Sequence, residues 1–120
     1  MENYKLGEME QKFADLIWNN EPISSRELTQ LCEKAFMWKR TTTYTMLKRL
    51  CERKIFENSH GTVRALMKRE EFLGAQGEQF VEESFGGSLP QFLAAFTRRK
   101  KLSEKEIEEI RTLIDAQEEG

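Results

Sequence analysis

WKRTTTYTMLKRLCERKIF, from Trp38 to Phe56, has the periodicity of a helix with one dry face and one wet, basic face. At about 100° per residue, Thr43, Met46, Leu47 and Leu50 fall together, while Thr41, Tyr44, Thr45, Lys48 and Glu52 fall opposite them. The first set needs a core to pack on. The second, flanked by Lys39, Arg40, Arg49, Arg53 and Lys54, combines hydroxyls, a phenol and cations, which suit phosphates and base edges better than plain solvation. This is the pattern of a recognition helix; the bland alternative is a solvated amphipathic helix.

The net charge of −2 over 120 residues taken alone speaks against nucleic acid, but the average conceals a division. Residues 1–37 hold four Lys/Arg and seven Asp/Glu, net −3; residues 38–69 hold nine and two, net +7; residues 70–120 hold six and twelve, net −6. A basic segment inside an acidic chain is a localised footprint: one face engages a polyanion and the remainder is kept away from it.

Upstream of the basic segment, Met9, Phe13, Leu16 and Ile17 predict an amphipathic helix over 8–20, stopping at Asn19-Asn20. Glu21-Pro22-Ile23 cannot continue it. Ser24 with Glu27 has capping-box spacing and Ile23 with Leu28 has staple spacing, so a second helix starts there, with Leu28, Leu31, Cys32 and Ala35 inside. Phe36-Met37-Trp38 is the apolar turn that follows. Downstream, residues 55–58 and 62–68 flank Ser59-His60-Gly61, and Val63, Ala65 and Met67 alternate with Arg64, Leu66 and Lys68, which predicts a hairpin. Three helices and a hairpin spell a winged helix-turn-helix domain over residues 1–69, mainly α with a small β-hairpin. Its wing carries Arg64 and Lys68 toward a nucleic-acid backbone. His60, alone at a turn, reads as solvated.

From Glu70 the chain becomes acidic and rich in phenylalanine, at Phe72, Phe80, Phe85, Phe92 and Phe96. Gly86-Gly87 breaks a helix, and Ser88 with Gln91 and Ser103 with Glu106 offer two further capping boxes, the second stapled by Leu102 and Ile107. Phe85, Leu89, Phe92, Leu93 and Phe96, then Ile107, Ile110 and Ile114, form apolar stripes too thin to make a core of their own. Residues 70–120 are therefore expected to be a C-terminal helical dimerisation arm.

Other classes of function find little support. At 38% hydrophobic and 33% charged residues, with no apolar run near the roughly 18 residues a membrane span needs, the chain is expected to be soluble and without membrane association. MENYKLGEME lacks a signal-peptide core, so the expected location is the cytoplasm. Cys32 and Cys51 lack C-x-x-C spacing and read as buried thiols in a reducing compartment. With His60 the single histidine, no zinc set, Gly-rich phosphate loop or carboxylate–histidine cluster can be assembled; no metal, cofactor or catalysis is expected.

The order and spacing of these pieces resemble the penicillinase-repressor family of winged-helix regulators over nearly the whole chain. Glu10 with Leu16-Ile17-Trp18 looks like the family's first-helix pattern. Trp38, Thr42, Thr45, Leu47, Arg49 and Leu50 look like its central signature, and Phe85-Gly86-Gly87-Ser88 through Phe96, Leu102-Ser103 and the acidic last helix look like its arm. The resemblance implies a homodimeric repressor on a palindromic operator. It puts Thr42, Tyr44 and Thr45 on the operator face, although Tyr44 stands at a position that varies in the family. It also implies a sensor-linked protease as a further partner, cutting the bond between Ala95 and Phe96, where resistance repressors tend to carry Asn before the Phe. Three departures stand out: Lys54 replaces the usual Gly after the recognition helix, Ala65-Leu66 replaces a Tyr pair in the wing, and the C-x-C motifs of copper sensors are missing.

The expected function is thus a DNA-binding repressor that contacts its operator through Lys39, Arg40, Thr41, Thr42, Tyr44, Thr45, Lys48, Arg49 and Arg64. The alternative is a protein-interaction module whose winged helix meets a protein partner. Salt separates the two, since phosphate neutralisation makes affinity fall steeply with ionic strength.

Overall fold

In the computed structural model, which describes residues 3–119, six helices and three short strands follow one another among the described residues. Their order is α1 (Glu8–Asn20), β1 (Ile23–Ser24), α2 (Ser25–Phe36), α3 (Arg40–Glu52), β2 (Phe56–Ser59), β3 (Thr62–Ala65), α4 (Arg69–Phe85), α5 (Leu89–Arg99) and α6 (Glu104–Glu119). They form two compact units, which divide inside α4 between Gln79 and Phe80.

The first unit closes on its own core. Phe13 and Ile17 from α1, Leu28 and Cys32 from α2, Leu47 and Leu50 from α3, Ile55, Phe56 from β2, Val63 from β3 and Phe72 from α4 are all at most 2% exposed. Each large apolar side chain so buried contributes roughly 1.5–3 kcal/mol. Trp18 joins helix to sheet: its ring lies 5.2 Å from Phe56 and 5.5 Å from Phe72, and its indole N–H donates to the Met67 carbonyl at 2.9 Å. Ala35, expected inside, is exposed, and Thr29 is buried. The inner stripe of α2 is centred on Leu28, Cys32 and half-buried Phe36, which puts Ala35 at its edge.

The charge boundary at 69/70 and the structural division at 79/80 do not coincide. Phe72 is fully buried in the first unit, edge-on to Tyr4 at 5.9 Å; the Gln76 amide donates to the Tyr4 carbonyl at 2.7 Å, and Tyr4 N–H donates to Gln79 Oε1 at 2.9 Å. Charge counts report solvent-facing residues and are blind to an apolar anchor. The hairpin gains a third strand, in the antiparallel order β1-β3-β2, with Ile23 opposite Val63 and Ser24 opposite Thr62. Two residues are too few to show a strand's period of two. The β2–β3 ladder stops at Phe56 opposite Ala65, short of the expected Lys68. There the Leu66 and Met67 N–H groups converge on the Ile55 carbonyl at 2.9 and 3.2 Å.

The second unit begins at Phe80. Gly86 and Gly87, at φ 57° and 84°, stop α4 in a left-handed turn, and Ser88 Oγ accepts from Gln91 N–H at 3.2 Å to start α5. Ser103 and Glu106 complete a reciprocal box at the start of α6: Glu106 N–H donates to Ser103 Oγ at 3.1 Å and Ser103 N–H donates to Glu106 Oε1 at 3.0 Å. Hydrogen bonds to the carboxylate, first from the Ser103 N–H and then from its hydroxyl, hold the Glu106 carboxyl below its ordinary range. Phe80, Phe85 and Phe92 meet edge-on at 5.6–6.0 Å, and Phe96 follows Phe92 at 6.0 Å. Yet no described residue of α5 or α6 is buried. No described helix is long and apolar enough to cross a membrane.

Candidate nucleic-acid interface

The turn into α3 is fixed by apolar packing. Met37 ends α2 in the left-handed region (φ 58°), where its N–H donates to the Glu33 carbonyl at 3.0 Å and the Trp38 N–H to that of Cys32 at 3.4 Å. Trp38 then packs at a tilt against Phe36 (4.9 Å) and Phe13 (5.3 Å), so α3 leaves the turn with its direction set. Thr43, Leu47 and Leu50 face the core, and Met46 is half-buried. Lys39, Arg40, Thr41, Thr42, Tyr44, Thr45, Lys48 and Arg49 are all exposed. All of the expected residues of this stretch are therefore open to solvent, and Thr41, Thr42, Thr45, Met46 and Arg49 together rim a shallow depression of about 330 Å³.

Local hydrogen bonds orient this surface. The Thr45 hydroxyl donates to the Thr41 carbonyl at 2.9 Å, which leaves its oxygen able to accept. The Tyr44 phenol donates to Ser25 Oγ at 3.3 Å. Ser25 was not legible as part of the site, because its spacing from Tyr44 follows from how α2 meets α3 and no local pattern announces it.

The cations divide into free and fastened. Among the described residues, Lys39, Arg40, Lys48, Arg49 and Arg64 have no carboxylate within ion-pair range; Glu57 is the cross-strand neighbour of Arg64 without reaching it. Arg53, expected beside them on the wet face, turns back instead. Its guanidinium donates to the carbonyls of Asn3 and, at 2.9 Å, of Lys5, with Glu10 at 4.0 Å. It holds the N-terminal segment against α1 and α3. Arg69 is likewise paired with Asp15 at 2.9 Å.

The wing springs from a two-residue turn, His60 at φ 51° and Gly61 at φ 83°, the left-handed pair that matches strand twist in tight hairpins. Arg64 on β3 and Lys68 beyond it are exposed. At the end of α3, Lys54 takes the left-handed conformation itself, at φ 65°. Ile55 N–H donates to the Leu50 carbonyl at 3.2 Å and the Ile55 side chain is 1% exposed, so the turn normally given to glycine is imposed by packing.

Cys32 is buried and Cys51 half-buried, both as free thiols, and burial pushes both thiols up. The fully buried Thr43 hydroxyl has no conventional hydrogen-bond partner among the described residues; its polar neighbour is the Cys32 thiol. On the arm, Phe85, Phe92, Leu93, Ile107 and Ile110 are half-buried, whereas Leu89 is 55%, Phe96 41% and Ile114 53% exposed. The Ala95–Phe96 bond lies inside α5.

No curated protein sequence matches the chain. The family model described as penicillinase repressor matches residues 6–116, from just before α1 almost to the end of α6. With that coverage and a winged-helix fold whose third helix bears a cationic, hydroxyl-rich face, the chain belongs to the penicillinase repressor family of transcriptional regulators.

Proposed function

We propose that the protein represses transcription as a homodimer that places α3 of each protomer in a major groove of a pseudo-palindromic operator, with half-sites about one helical turn or a multiple of it apart. The observation that carries this reading is the exposed face of α3 and its N-cap, which bears hydroxyls, a phenol and four cations with no carboxylate in ion-pair range among the described residues. Lys39, Arg40, Lys48 and Arg49 neutralise phosphates. Thr41, Thr42, Tyr44 and Thr45 lie where base edges would be read, and Arg64 extends the contact to the backbone through the wing. Phe85 at the end of α4 and the incompletely covered stripes of α5 and α6 supply the dimer contact, the latter through Leu89, Phe92, Leu93, Phe96, Ile107, Ile110 and Ile114.

The test is footprinting on a duplex selected by the full chain from a randomised library, with sedimentation alongside. Two symmetric protected half-sites and a dimer at micromolar concentration are expected. A single unpaired half-site, a monomer, or affinity that barely responds to salt would replace this reading with a protein-binding winged helix. Relief of repression follows from a cut between Ala95 and Phe96 by a sensor-linked protease. Because that bond is helical, α5 must unwind before it fits a protease cleft. Full-length protein persisting in derepressed cells would exclude this route.

A further inference from the structure

Ser25 stands where the wing, the second helix and the third meet. Its backbone N–H donates to the Gly61 carbonyl in the wing turn at 2.8 Å, and its hydroxyl accepts from the Tyr44 phenol of α3 at 3.3 Å. The start of α2 does not use this hydroxyl, since the cap is Ser24, whose Oγ accepts from Glu27 N–H at 3.0 Å. β1 has also ended at Ser24. The half-buried Ser25 side chain is thus spare as far as helix initiation is concerned, and it is spent on Tyr44.

The geometry points to Ser25 as the positioning residue for Tyr44, one that fixes what the phenol offers to DNA and ties it to the wing. This rests on the proposal that α3 reads the major groove. An untethered tyrosine on an exposed helix face rotates about two side-chain torsions and can give or take a proton at its oxygen. The contact with Ser25 favours one position of the ring, and while the phenol donates to Ser25 Oγ its oxygen presents lone pairs only. It then favours a base-edge amino donor, the N6 of adenine or the N4 of cytosine, over a carbonyl acceptor. The Ser25 N–H fixes the wing turn at the same point, so base reading by Tyr44 and backbone contact by the wing share one anchor.

The experiment compares the full-length wild type with Ser25→Ala, Ser25→Thr, Tyr44→Phe and the Ser25→Ala/Tyr44→Phe double variant. It measures the affinity ratio between the duplex selected by the wild type from a randomised library and a scrambled duplex, and the melting temperature of each protein. Loss of one hydrogen-bonded constraint predicts that Ser25→Ala lowers the ratio about fivefold. Unchanged melting is expected, as is recovery in Ser25→Thr and no further effect of Ser25→Ala once Tyr44 is Phe. A wild-type ratio retained in Ser25→Ala, or a double variant showing the product of the two single losses, overturns the inference and leaves the DNA-reading face standing. A wild type with no preference between the duplexes overturns both.

Discussion

Phe56 and Phe96 are the same side chain in opposite circumstances. Phe56, with Phe13 and Phe72, is wholly out of solvent in the first unit, whereas Phe96 and Phe80 in the second are 41% and 51% exposed. Phe72 and Phe80 even belong to the same helix, α4, so the difference lies in what covers them. The first unit has three helices, a sheet and the start of α4 to surround one centre. The second, residues 80–120, is near the roughly 40-residue size below which a chain needs outside help to bury its apolar surface. One unit is finished by its own chain, and the other is proposed to be finished by a second copy.

The largest test of this contrast is a chain ending at Ala95. It should keep the first unit and lose the second half-site, with operator affinity falling by about 10²–10⁴ as the bivalent advantage disappears. Undiminished binding in a mobility-shift titration would mean that α6 and the end of α5 are not the dimer contact. Next, Phe56→Ala should cost about 3–5 kcal/mol of unfolding free energy in denaturant. Phe96→Ala should leave that transition almost unchanged and raise the dimer dissociation constant by sedimentation.

Within the first unit, Thr45→Ala should lose about 1–3 kcal/mol of discrimination between operator and random DNA. Arg64→Ala should weaken both alike and flatten the salt slope by about one unit. If Arg64→Ala altered the affinity ratio alone, the wing would be reading sequence. A smaller effect is expected at Lys54, whose φ of 65° glycine adopts more readily: Lys54→Gly should raise stability by about 1 kcal/mol. The smallest concerns the arm. The Glu106 carboxyl is held below its ordinary range by Ser103, so its contribution is complete above the unfolded value and is lost as pH falls through the folded one. Helicity should therefore decline slightly in acid, and Glu106→Gln should abolish that step in circular dichroism.

Local pattern made much of the molecule legible. The helix over 8–20, the Ser24, Ser88 and Ser103 caps, the Gly86-Gly87 break and the two faces of α3 depend on residues within one or two turns of each other. Spacing alone decides such features, because i, i+3 and i+4 neighbours meet in any helix. Tertiary structure decided the rest. β1 exists because β3 passes beside it, and Phe72 carries the first unit past the charge boundary because a core had room for it. Arg53 left the cationic face for carbonyls 50 and 48 positions away in the chain, and Lys54 accepted a glycine's conformation because Ile55 had to be buried. Ser25 reached Tyr44 across nineteen positions. Composition and period record how strongly each side chain prefers water or its absence; which distant group satisfies it is settled only when the elements pack.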